Sequence, residues 1–334
     1  VHALVHAIND AIGAIGSTVT LHEPVEALPQ DQRASLRELV GAMQAGEVST
    51  LAIMGANPVH TAPAGVDFAA ALERVPFSVH LGGYRDETGG RTTWHVPEAH
   101  HLEAWSDARA FDGSATILQP LVQPFYGGRS AHELLALLAG DASASGYELV
   151  RETWRARVDG DFDAFWQRSV YLGVVEGSAS PEVEARPSLS AGLELPRADG
   201  ELALVVRPDP SLDDGRWANN GWLQELPKPF TKLTWDNAAL LSARTAERLG
   251  VRNEDQLELA VGDAQVTAPV WILPGQADDV VLVHLGFGRE VAGRVADGVG
   301  FDAYRFLPDA VGAAPAVRAE KVRGRYRLAS TQLH

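Results

Sequence analysis

Apolar residues recur at helical spacing from the start of the chain. Leu4, Ile8, Ala11, Ile12 and Ile15 share one face, and Gly13 and Gly16 close the segment. A short β-branched run follows at 17–21, and 31–45 reads as a second helix with Leu36, Leu39, Val40 and Met43 on one side. Leu51-Ala52-Ile53-Met54 is a continuous apolar run ending in Gly55-Ala56-Asn57-Pro58, the pattern of a buried strand closed by a turn. A short helix over 67–74 and a strand over 77–81 complete the rhythm of a parallel α/β layer. Residues 94–128 have no period and read as irregular. Ser130-Ala131-His132-Glu133 is a capping box: the hydroxyl accepts from the amide three residues on, and the glutamate reaches back. It opens a helix through Leu138, and two more helical stretches, rich in Trp and Phe, follow at 147–158 and 161–175.

The pattern then changes. Residues 177–200 are dense in Ser, Pro, Ala and Glu without period, which marks a linker. Beyond it, strands are predicted at 202–207, 232–235, 256–261, 264–272, 280–285 and 317–328, with Gly262-Asp263 as a hairpin turn. One helix is predicted over 237–249, stopping at Gly250. Many strands with one short helix predict a closed barrel rather than an open sheet. The expected organisation is α/β over 1–176, linker over 177–200 and β-barrel over 201–334.

Composition narrows the function classes. The 334 residues carry 28 Lys plus Arg against 44 Asp plus Glu, a net charge of −16, which repels a nucleic-acid backbone. The one concentrated basic stretch, 321–327, reads as a solvated strand. There is no cysteine, so this chain has no disulfide, thiolate zinc site, cysteine nucleophile or cysteine-ligated iron–sulfur cluster. No apolar run approaches the ~18 residues of a membrane span. The first residues lie inside a helical pattern with no initiator Met and no basic leader, so a piece of a longer chain is expected.

Several chemistries have no motif. There is no phosphate-loop sequence and no G-x-S-x-G elbow, and Gly286-Phe287-Gly288 lacks the third glycine of a dinucleotide fingerprint. The acid pairs Asp213-Asp214 and Asp278-Asp279 sit in turn-like sequence and read as solvated rather than catalytic. His95, Glu98, His100, His101 and Glu103 are the densest group of metal-ligating types, but His-x4-His-His is no defined ligand spacing. The group reads as a surface loop whose histidines hydrogen-bond locally, and no metal or catalytic residue is assigned. Ligand-binding residues are more promising. Gly55, Asn57 and Pro58 follow a buried strand, where open α/β sheets take ligands; the glycine lets backbone approach and the asparagine offers an amide. In the barrel half, Asn220 and Asn237 lie among aromatic residues, Asn237 doubling as a helix cap. Gly288 and Arg289 end a strand ahead of Asp302, so glycines flanking an arginine could cradle a planar anion.

With these residues in view, the chain resembles the molybdopterin oxidoreductase superfamily. Asn237-Ala238-Ala239, the run Ala246 to Val251, Asp255 to Leu259, Val266 to Val270 and Leu273-Pro274-Gly275-Gln276 are similar to the family's dinucleotide-binding domain, a double-psi β-barrel. Asn253-Glu254-Asp255 stands where the family usually has a Gly-Asp step. The first half resembles the family's Rossmann-like α/β domain, with Gly55-Ala56-Asn57-Pro58 matching its G-x-N-P turn, and 1–16 resembles the helix before it. Phe77 to His80, Trp94 to His100 and Asn220 to Pro227 resemble one branch, the large iron–sulfur, molybdopterin-like subunit of alternative complex III.

The resemblance implies a molybdopterin guanine dinucleotide held between α/β domain and barrel, Asn57 facing one nucleotide end and Asn220, Asn237 and Arg289 lining the other. It implies iron–sulfur clusters only in parts of a parent chain outside this sequence. It implies partner subunits of a membrane-bound electron-transfer complex, on its periplasmic side, and no nucleic acid. The narrower branch implies the alternative: a fold kept as cofactor-free scaffold or docking module of a quinol-oxidising assembly. Asp302, where relatives tend to carry Asn, would set a carboxylate near an anionic diphosphate, which is unfavourable.

Overall fold

The computed structural model describes residues 2–185, 202–307 and 315–332. The chain divides into two compact units that interleave in sequence. One takes Val1–Asp31, Leu81–Gly83 and Val96–Glu194; the other takes Gln32–His80, Tyr84–His95 and Leu195–His334.

Helices α1 (His2–Ala11) and α2 (Gln32–Ala45) fall where the apolar spacing predicts them. Strand β1 (Thr50–Met54) leads into a short α3 (Pro58–Thr61), so the Asn-Pro turn opens a helical turn with proline in the position where its missing N–H is harmless. Helix α4 (Phe68–Leu72) is capped by Asp67, whose carboxylate accepts from Ala70 N–H at 3.0 Å. Strands β2 (Phe77–Gly82) and β3 (Trp94–Pro97) join β1 in a three-stranded sheet, in the order β1–β2–β3. Val40, Met43, Ile53, Phe68 and Leu72 close one core between α2, β1 and α4.

Residues 94–128, expected to be irregular, contain β3 and also β4 (Ser106–Arg109) and β5 (Ala115–Leu118), an antiparallel pair matching Asp107 to Ile117 and Arg109 to Ala115. Strand β4 is Ser-Asp-Ala-Arg, without a β-branched residue, so its pairing rather than its propensity makes it a strand. The predicted capping box opens α5 (Ala131–Leu138), and a second one, Ser145 with Glu148, opens α6 (Gly146–Arg155). Helix α7 (Phe162–Leu172) stops earlier than expected, at Gly173 in the left-handed conformation that a residue without Cβ adopts freely. Strand β6 (Val174–Val175) then adds to β5. Trp105, Tyr147, Trp154, Phe165 and Trp166 pack this unit's aromatic core. The expected linker over 177–200 lies outside the described residues from 186 onward.

The remaining residues build the barrel and the short elements around it. They form β7 (Leu202–Arg207), α8 (Gly221–Glu225), β8 (Leu233–Thr234), β9 (Ala239–Leu241), α9 (Ala243–Leu249), β10 (Asp255–Val261), β11 (Ala264–Ile272), β12 (Val280–His284), β13 (Ala316–Arg325) and β14 (Ala329–Ser330). Six strands close in the order β10–β11–β9–β12–β7–β13. The pairs β11–β9 and β12–β7 are parallel and the others antiparallel. Closure leaves no free sheet edge, and the interior is filled by Leu204, Leu241, Leu257, Leu259, Val281 and Val283.

Two sequence expectations are corrected here. The predicted helix over 237–249 begins only after Ser242, which caps it; Ala239–Leu241 is instead a barrel strand between β11 and β12. Alanine and leucine favour a helix, and pairing on both sides overrides that preference. The predicted strand over 232–235 shrinks to β8, which pairs with β14 outside the barrel, because Lys232 and Trp235 adopt positive φ on either side.

Candidate functional site

Two of the candidate residues, Asn57 and Arg289, meet at one ion pair in the second unit. Beyond β12 the chain runs through Gly286 and Gly288, both at positive φ. A Cβ on Gly288 would overlap the Asp302 backbone, and one on Gly286 would meet the Gly215 amide nitrogen at 3.1 Å, so glycine is required for this passage. The passage delivers Arg289, 6% exposed, to Glu87, 8% exposed. Arg289 donates Nε to Glu87 Oε1 at 2.9 Å and Nη2 to Oε2 at 2.7 Å, a forked ion pair, while Nη1 donates to the Gly215 carbonyl at 2.8 Å. Glu87 Oε1 also accepts the backbone N–H of Glu290 and of Val291, each at 3.0 Å. Asn57 Nδ2 donates to Oε2 at 2.7 Å. Burial alone would raise the Glu87 carboxyl, but the bonds from Arg289, the Val291 amide and Asn57 outweigh it and hold it at about 2.

Asn57 is fixed from its other end. Its Oδ1 accepts the Thr88 hydroxyl at 2.7 Å and the Thr88 amide at 3.2 Å, and Thr88 Oγ1 accepts Val59 N–H at 3.1 Å. Gly55, at φ +63, turns the chain out of β1, and Pro58 starts α3. Asn57 and Arg289 are thus brought together, through Glu87.

The other candidates lie elsewhere in the same unit. Asn220 caps α8, its Oδ1 accepting from the amides of Trp222 and Leu223. Asn237 is no helix cap; it bonds the backbone of His284 and Phe301, and Gly300 packs against it too closely for any Cβ. Asp302 accepts the Tyr304 amide at 2.9 Å, and burial raises its carboxyl to about 6. It lines a cleft of about 330 Å³ with Val59, His60, Asp67, Tyr304 and Arg305. His60 Nε2 is buried there without a hydrogen-bond partner among the described residues, and its ring meets Tyr304 edge-on at 5.1 Å. Burial and then the nearby Arg289 charge lower this imidazole to about 4, so it is neutral at physiological pH.

The histidine-rich loop is organised by local bonds. His95 Nδ1 meets His80 Nδ1 at 3.0 Å, the rings of His100 and His101 lie 3.9 Å apart, tilted by 39°, and Glu103 accepts from the amides of His100 and Phe125. Among the described residues no three metal-ligating side chains converge.

Chemically, a guanidinium fork, two consecutive amides and a carboxamide make an anion receptor, and its occupant is the chain's own carboxylate. A diphosphate at Arg289 would have to displace Glu87. The residues therefore do not fit the guanine dinucleotide in the way the resemblance implies.

No protein-family model matches the chain. The menaquinone reductase molybdopterin-binding-like subunit of Nitratidesulfovibrio vulgaris is 24% identical over 299 residues, 84% of this chain and 42% of that protein. The thiosulfate reductase molybdopterin-containing subunit of Salmonella typhimurium is 29% identical over 77 residues, 23% of this chain and 10% of that protein. Acetylene hydratase from Pelobacter acetylenicus shares the fold with a TM-score of 0.64 at 13% identity, over 86% of this chain and 46% of that one. This chain is a relative of the molybdopterin oxidoreductases. It spans less than half the length of these relatives.

In this molybdopterin-oxidoreductase relative, sequence reasoning found Asn57 and Arg289 but missed Glu87, Thr88, His60 and Tyr304. It also missed the buried pair of Lys228 and Asp209, 2.7 Å apart. A signal existed for Glu87: it lies in Arg85-Asp86-Glu87-Thr88-Gly89-Gly90, an acidic stretch ending in two glycines within an otherwise ordered α/β layer. Gly89 lies so close to His80 and His95 that a Cβ would clash with both rings, which a Gly-Gly pair can announce.

Proposed function

We propose that this chain is part of a molybdopterin-type subunit of a quinone-linked electron-transfer complex. In this reading it holds the architecture of the complex without binding the guanine dinucleotide at Arg289. The relative named as a subunit of menaquinone reductase supports the first half, and the observation that carries the second is Glu87 seated in the Arg289 receptor. In the same reading the barrel is of the double-psi type and the α/β layer Rossmann-like, divided at the 177–200 linker. Clusters belong to other parts of a longer parent chain, and the assembly faces the periplasm.

The purified chain tests this directly. Calorimetric titration with GDP and with molybdopterin guanine dinucleotide is expected to give no heat at micromolar ligand, and elemental analysis no stoichiometric molybdenum. A micromolar isotherm would establish the second reading, a retained pterin site. That reading is favoured by the open cleft beside Asp302 and by the unpartnered Nε2 of His60 within it. When bound, such a cofactor would supply the redox chemistry, and the chain its orientation and electrostatics.

A further inference from the structure

The donors around Glu87 do not depend on Glu87 for their positions. Arg289 is anchored by the Gly215 carbonyl, and its own carbonyl accepts Gly298 N–H at 2.8 Å. The backbone just before it is tied by Gly288 N–H to the Val299 carbonyl, also 2.8 Å. Asn57 is oriented by the Thr88 hydroxyl, and the Thr88 amide is itself shared with Asp86 Oδ1 at 3.1 Å. Truncating Glu87 to alanine deletes one methylene and one carboxylate, the atoms of an acetate ion. It would leave a guanidinium fork, two amides and a carboxamide aimed at the emptied volume. The neighbouring Glu290 is exposed and Val291 is 45% exposed, so the receptor lies one residue from solvent.

We propose that Glu87 is an internal counter-anion filling a preformed oxyanion receptor, and that removing its carboxylate converts the chain into a binder of small carboxylates or phosphates. The proposal deepens the reading that no dinucleotide occupies Arg289, and rests on it. It predicts that the native chain and Glu87→Gln, whose amide still fills the space, are blind to added anions, whereas Glu87→Ala is not.

The test is thermal unfolding at fixed ionic strength, with a bulky sulfonate as the balancing anion and acetate, phosphate or pyrophosphate as the titrant. Expected is a midpoint for Glu87→Ala that starts below the native value and climbs with the logarithm of acetate or phosphate concentration, as ligand linkage requires. Native and Glu87→Gln midpoints should stay flat. Acetate without phosphate would assign the receptor to carboxylates; phosphate or pyrophosphate would assign it to phosphoryl groups. If Glu87→Ala does not fold in sulfonate, recovery of its circular dichroism on adding acetate or phosphate is the same readout. No anion-dependent shift or recovery in Glu87→Ala, or an equal shift in the native chain, overturns the proposal. Those outcomes leave the native titration with the dinucleotide unaffected, so the two readings fail separately.

Discussion

Asn237 and Phe301 exchange a reciprocal pair of hydrogen bonds. The asparagine Nδ2 donates to the Phe301 carbonyl and its Oδ1 accepts the Phe301 amide, both at 2.9 Å. The side chain thereby acts as a peptide group, tying the segment before β9 to the one after Gly300. The same Nδ2 donates to His284 at the end of β12, also at 2.9 Å. One carboxamide satisfies three backbone groups, the two of Phe301 buried and that of His284 partly so.

Asn237→Ala leaves those groups unpaired, and each buried orphan costs about 1–3 kcal/mol. The expected result is a loss of several kcal/mol in denaturant unfolding. Asn237→Asp keeps the acceptor but turns a carboxylate towards two carbonyls, so it should be more destabilised at pH 7 than at pH 4. Equal stability of the three proteins at both pH values would refute this role.

Arg289→Ala strands Glu87 as a buried charge, and breaking such a pair costs about 3–5 kcal/mol. The double variant Arg289→Ala with Glu87→Ala should lose less than the two singles added, since each single leaves one charge alone. The acid limb follows from the Glu87 carboxyl, held at about 2 against 4.5 in the unfolded chain. A depressed carboxyl stabilises fully above 4.5, and the contribution fades as pH falls towards 2. The native protein should show that loss in stability measured by urea melts between pH 5 and 2, and Glu87→Gln should not.

Asp302 has the opposite sign. Its carboxyl rises from 3.8 to about 6 on folding, chiefly through burial, so the stability it contributes is present below 3.8 and lost as pH rises through 6. Asp302→Asn can still accept from the Tyr304 amide. It is expected to be more stable than the native chain at pH 7, with the gap closing near pH 4 in paired thermal melts. A gap that is constant with pH would show that Asp302 does not titrate in this range.

How much of this was legible beforehand depends on range. β10, β11 and β12 are runs of alternating or β-branched apolar residues, so their local pattern suffices. β9 is three residues of Ala-Leu-Leu, helical by preference, and only its two neighbours make it a strand. The second capping box has the same local grammar as the first and could have been read. The site divides in the same way. Asn57 and Arg289 show their donor chemistry in their own residue types. Glu87, which engages both, is 202 residues from Arg289, and no periodicity connects positions so far apart.

That separation also sets a sequence of events at the ribosome. Synthesis at ~5–20 residues per second delivers Arg289 roughly 10–40 s after Glu87. For that interval the first segments of the second unit exist without the strands that complete it, and the carboxylate waits in water, which hydrates it without assistance. The guanidinium arrives after β12 and before β13. The pair can close only when both stretches of the unit have been made, and β13, which closes the barrel, leaves the ribosome later still, so no earlier segment of the unit can rely on this ion pair.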